Sequence, residues 1–202
     1  MSQQRRLVLV LAINAAMVAG LLTVGLVAGS LGVLASGADY LGDALGTGLS
    51  LTALRLSRRQ HGHPRATTFA ALANSGFLLL VTVTVAGEAI RRLVTGAPSI
   101  HGAPVVIISV IAAAAMICCA LILGDVAGDL SMESVMLDTV ADAAAAIGVA
   151  ISGAIILATH GTYWLDSSVA LLIAIVVAFH ALRLVRRAQI DLRDKRTPAR
   201  ST

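Results

Sequence analysis

Four aspartates interrupt otherwise apolar stretches of this 202-residue chain: Asp39 and Asp43 in one, Asp138 and Asp142 in another. Each pair is spaced i, i+4. On a helix that puts both carboxylates on one face, about 40° apart and one turn along. The two segments read alike, Asp39-Tyr40-Leu41-Gly42-Asp43-Ala44 and Asp138-Thr139-Val140-Ala141-Asp142-Ala143. A carboxylate at the centre of a membrane helix costs about 2.5–3.5 kcal/mol even on the lenient insertion scale, so four of them need a use. Every Lys and Arg lies in a loop, a tail or within about a turn of a helix end, and His180 is the one base inside an apolar segment. Structural salt bridges are therefore a poor explanation of the acids. The better reading is a bound cation that exchanges with protons on the same oxygens, with a proton-only relay or permanently protonated structural acids as the alternatives. Oxygen donors suit Mg²⁺, Mn²⁺ and Fe²⁺. Zn²⁺ more often recruits His or Cys as well, and a site that must also release its ion need not use the best equilibrium ligands, so the ligand set leaves the metal open.

The elements that must position these acids follow from composition. The chain is 57% hydrophobic, 3% aromatic and 13% charged, which excludes a soluble domain, a disordered chain and, with two cysteines, a disulfide scaffold. A helix needs about 20 apolar residues to cross a bilayer. Six such runs are present, near 7–28, 31–54, 67–90, 104–123, 134–157 and 164–184. The expectation is an all-α polytopic membrane protein of six transmembrane helices, organised as a membrane domain over 1–186 and a short basic tail over 187–202. The first run follows Arg5 and Arg6 but is too long for a signal peptide. Thirteen of the fifteen Lys and Arg residues fall on one side of a six-crossing topology, against Arg91 and Arg92 on the other, which puts both termini in the cytoplasm. The net charge of +4 comes from arginines at segment ends, so nucleic acid is not an expected partner and the lipid bilayer is.

In that topology helices 2 and 5 run antiparallel, and facing each other they would gather the four carboxylates. With this pattern the chain resembles the cation diffusion facilitators, six-helix exporters of divalent metal driven by protons. The resemblance runs through Asn14, Gly29-Ser30-Leu31, Leu34-Ala35, Asp43-Ala44-Leu45-Gly46, Asn74 and Asp129-Leu130. It implies metal ligation by Asp39, Asp43, Asp138 and Asp142, export in exchange for protons, and a homodimer. Family members of the zinc and cobalt branch typically carry His at the first position of each pair, where this chain has Asp39 and Asp138. All-Asp pairs look like the manganese branch, whereas the flanking sequence looks like the zinc and cobalt branch. The resemblance is to a short form without the family's usual cytosolic domain.

Other polar residues carry weaker signals. His61 and His63 form a His-x-His in the loop between helices 2 and 3, a candidate for secondary metal capture. His101, His160 and His180 read as structural, Glu88 as a local ion-pair partner of Arg91 and Arg92, and Asp166 as a first-turn acid or cap beside an interfacial Tyr163-Trp164. Adjacent Cys118 and Cys119 read as packing residues. The expected function is a secondary transporter exporting Zn²⁺, Mn²⁺, Fe²⁺, Co²⁺ or Cd²⁺ in exchange for protons. It is not an enzyme and has no prosthetic group, the metal being its cargo. An Ala, Val and Arg-rich chain suggests a bacterial plasma (inner) membrane. The rival functions are a non-transporting scaffold and a membrane-embedded metal hydrolase, the latter lacking any motif for activating water.

Overall fold

A computed structural model describes the backbone of residues 3–57, 64–124 and 130–194, and the side chains of 8–45, 48, 72, 74–122, 139–183, 185 and 186. The chain forms six helices: α1 (Gln3–Ala28), α2 (Leu31–Ser57), α3 (Pro64–Thr95), α4 (Gly102–Gly124), α5 (Leu130–Thr159) and α6 (Trp164–Asp194). Among the described residues there is no strand. Among the described residues four segments are long and apolar enough to cross a membrane: Val8–Ala28, Gly102–Ile122, Thr139–Thr159 and Trp164–Arg183. Over their described residues α2 and α3 fall short of that mark. The first carries Asp39 and Asp43, and the side chains of the first two turns of the second lie outside the described residues. Both are nonetheless long, 27 and 32 residues, or about 40 and 48 Å.

Several helices run past their apolar cores. α3 continues to Thr95, α5 begins at Leu130, and α6 runs on to Asp194 with no break at 186/187. The continuation, Arg187-Ala-Gln-Ile-Asp-Leu-Arg-Asp194, is made largely of good helix formers, so leaving the apolar zone gives the backbone no reason to stop.

The α1–α2, α3–α4 and α5–α6 connections gather at one end, here called the turn face. Each odd-numbered helix ends there on a residue with positive φ: Gly29 (72°), Gly96 (99°) and His160 (52°). At Gly29 the stop is a Schellman arrangement, with Ser30 N–H donating to Gly25 O at 3.0 Å; at His160 a single bond runs to Ile156 O at 2.9 Å. The predicted turn at Gly29-Ser30 is thus present. Its glycine is needed because a side chain is strained in that backbone region.

Packing pairs α1 with α2, α3 with α6 and α4 with α5. α2 is central, touching α1, α3, α5 and α6. α4 and α5 approach almost backbone to backbone: a Cβ on Gly102 would lie 2.9 Å from Gly153 O and 3.0 Å from Leu157 N. With no hydrophobic drive between helices in lipid, such close approach is what holds them together. Large apolar side chains including Leu26, Val27, Leu80, Val94, Leu121 and Leu172 point outward. That apolar periphery is a surface for acyl chains rather than for water.

Candidate metal site

On α2 the polar positions Asp39, Asp43, Ser36 and Tyr40 occupy neighbouring directions on one side of the helix. Tyr40 reaches across to α5. It is 1% exposed, and its hydroxyl donates to the main-chain oxygen of Asp142 at 3.5 Å, the long end of a hydrogen bond. Asp142 is itself 6% exposed. Asp142, Asp39 and Asp43 all lie near enough to act electrostatically on the Tyr40 hydroxyl, as does Cys119 from α4. Three of the four aspartates singled out by spacing thus lie within electrostatic reach of one phenol that spans from α2 to α5. Asp138 lies one turn before Asp142 on α5, and its side chain is outside the described residues. Among the described residues no three His, Cys, Asp or Glu side chains close into a ready-made metal cage.

A second set of polar atoms was visible in the sequence without a role. Asn74 of α3 donates from Nδ2 to Gly42 O at 3.3 Å, one residue from Asp43. Its Oδ1 is buried without a hydrogen-bond partner, as are Asn14 Oδ1 on α1 and Ser36 Oγ. Gly42 allows this approach: a Cβ there would meet Leu78 of α3 at 2.5 Å. Asp39 also lines a cavity of about 10 Å³ between α2, α3 and α6, with Leu78, Thr82 and Ile173 among its walls. That is room for about one water. Tyr40 was missed because an aromatic in an apolar helix reads as core, and only the α2–α5 pairing reveals its place.

Asp166 is the largest surprise. It lies in the first turn of α6, yet its carboxylate caps a different helix, α2. Oδ1 accepts from Ser30 Oγ at 2.5 Å and from Gly32 N–H at 3.2 Å, and Oδ2 accepts from Leu31 N–H at 2.7 Å. Ser30 Oγ in turn accepts from Val33 N–H at 3.1 Å, the usual N-cap bond. An anion at the positive end of a helix dipole is favourable, and here it is 1% exposed.

Close by, the ion pair read for Glu88 is present. Arg91 makes a two-pronged contact at 2.6 and 2.7 Å, and Arg92 Nε one at 3.0 Å. Arg92 Nη1 also donates to Gly29 O at 2.8 Å, so α3 braces the same turn that α6 caps.

The remaining residues are dispersed. His101 and His160 are exposed and line a groove of about 260 Å³ at the turn face with Tyr163. His180 is exposed on α6, where the Arg183 guanidinium sits 4.4 Å over the Phe179 ring. Cys118 is exposed, Cys119 is buried, and both are free thiols. His61 and His63 lie outside the described residues.

Known proteins give the arrangement a context. The zinc transporter ZitB of Yersinia pseudotuberculosis is 27% identical over 199 residues, covering 95% of this chain and 63% of the relative. ZitB of Pectobacterium atrosepticum is 28% identical over 176 residues, covering 83% and 54%. A cadmium, cobalt and zinc/H(+)-K(+) antiporter of Bacillus velezensis is 28% identical over 162 residues, covering 76% and 51%. The chain thus spans less than two thirds of the length of these curated relatives. The family description "Cation efflux transmembrane domain" matches residues 7–192, which takes in the paired aspartates of α2 and α5, the capped turn and nearly all of the six helices. With six helices and that match over nearly its whole length, this chain belongs to the cation efflux family of multi-pass membrane proteins.

Proposed function

We propose that the protein exports a divalent transition-metal cation from the bacterial cytoplasm across the inner membrane in exchange for protons. Asp39, Asp43, Asp138 and Asp142 hold the ion between α2 and α5. The observation that carries this reading is that Tyr40 reaches from α2 to α5, with Asp39 and Asp43 on its own helix and Asp142 supplying the main-chain oxygen it meets. Carboxylates brought together there would need either protons or a cation, so the two would compete for the same oxygens and exchange would become the working step.

Both termini face the cytoplasm, on the thirteen-to-two distribution of Lys and Arg, and the turn face is the outer one. The protein is a transporter rather than an enzyme, and the metal is its cargo. Zn²⁺, Co²⁺ and Cd²⁺ are supported by what the relatives are named for; Mn²⁺ and Fe²⁺ by a ligand set of oxygen alone. His61 and His63 would raise the local ion concentration at the cytoplasmic mouth, and two copies would assemble through the membrane helices.

The test is flux into proteoliposomes carrying a lumenal pH dye, comparing Zn²⁺, Mn²⁺, Fe²⁺, Co²⁺ and Cd²⁺ for the native chain and for Asp43→Ala. Metal-dependent proton movement that disappears in the variant is the expected result. Folded native protein that moves none of these ions would end the transport reading.

A further inference from the structure

The strongest feature outside the metal site is the polar clamp at the turn face. Asp166 accepts three hydrogen bonds from the start of another helix. The residues that follow in α2 are closed off: Leu31, Val33, Ala35 and Ser36 are all buried. A Cβ on Gly32 would stand 3.0 Å from Asp166 Oδ1, so α2 and α6 touch with nothing between them at this point. The clamp also joins elements whose main partners differ, since α6 packs chiefly along α3 and α2 along α1. Asp39 lies eight residues along α2 from Leu31, about 12 Å deeper.

We propose that Asp166 is the outer latch of the transport cycle: a positioning residue that holds the N-terminus of α2 shut against α6 and must let go before the metal site opens outward. The proposal rests on the transport reading and adds to it which contact opens. The chemistry suits a latch. Three bonds converge on one side chain, so a single displacement breaks them together. The capping hydroxyl of Ser30 remains on α2 to satisfy Val33 N–H after release. Outward opening supplies water at the same moment, which replaces Asp166 on the exposed N–H groups of Leu31 and Gly32. Arg92, bonded to Gly29 O, keeps the turn itself anchored to α3 while the α2 end moves relative to α6.

A cross-link separates a latch from a static cap. In a chain freed of native thiols (Cys118→Ala, Cys119→Ala, itself checked for flux), Ser30→Cys and Asp166→Cys replace two side chains that touch. The full-length protein is reconstituted, oxidised, and assayed for metal flux before and after reduction, with metal binding titrated in both forms. The expected result is at least about a tenfold loss of flux on oxidation, reversed by reductant, with binding unchanged. Equal flux in the quantitatively cross-linked and reduced forms would overturn the latch; where the two thiols do not join, the labelling below decides.

If the reduced double variant is itself inactive, a second readout decides. Val33→Cys, buried in the native fold, is exposed to a membrane-impermeant maleimide from outside, with and without Asp166→Asn. Faster labelling with Asp166→Asn supports the latch, and an unchanged rate in folded protein overturns it. Absence of flux in the native chain would instead count against transport itself, and the labelling result would stand apart from it.

Discussion

Replacing Asp142 with Asn keeps the shape of the side chain and the main-chain oxygen that receives Tyr40, and removes one charge from a position only 6% exposed. Two unit charges about 4 Å apart attract by about 4 kcal/mol at an effective dielectric constant near 20, and a divalent ion doubles this to about 8 kcal/mol. Against that, on the exchange reading the native carboxylate must give up a proton to take the metal, at a cost of several kcal/mol that Asn escapes. The difference leaves about 2–4 kcal/mol of metal affinity lost, or a Kd raised about 30- to 700-fold. The assay is competition titration of purified protein with a metal-sensitive dye, run beside a thermal melt. The melt separates a change in stability from a change in affinity. A Kd within about threefold of native, in protein with an undiminished melting temperature, would refute the placement of Asp142 in the site.

Three further outcomes follow from the geometry. Asp166→Ala leaves the hydroxyl of Ser30 and the N–H groups of Leu31 and Gly32 without their acceptor; a loss of about 2–4 kcal/mol, read as a melting temperature about 5–15 °C lower, is expected in detergent. Gly102→Ala drives a methyl group into the backbone of α5 and should destabilise by about 1–3 kcal/mol, whereas Gly42→Ala meets only the Leu78 side chain and should cost less; paired melts compare the two. Tyr40→Phe removes a single long hydrogen bond and should change stability by less than about 1 kcal/mol in the same melts.

The helices and the paired acids were legible in the sequence because both depend on local spacing. Apolar runs give the helices, and i, i+4 spacing puts Asp39 beside Asp43 whatever the helix packs against. Glu88 was legible for the same reason, its partners being three and four residues away. Asp166 was not. Its position in the first turn of α6 suggested a cap for that helix, but its partners lie 134 to 136 residues earlier, and no local pattern carries that distance. Helix ends were misjudged where polar residues extend a helix beyond the apolar zone, as in α5 and α6. Periodicity marks where a helix is buried, not where its backbone bonds stop.

The group at the turn face has a bearing on how an ion would depart. Arg91 and Arg92 are bound by one glutamate, and Asp166 caps the residues that follow the Gly29 turn held by Arg92. Two positive and two negative groups thus make a cluster without net charge. A cation released at this end would meet no standing repulsion from the arginines and no excess of carboxylates to hold it. The exit would be electrostatically neutral ground, leaving the direction of travel to the gradients on either side.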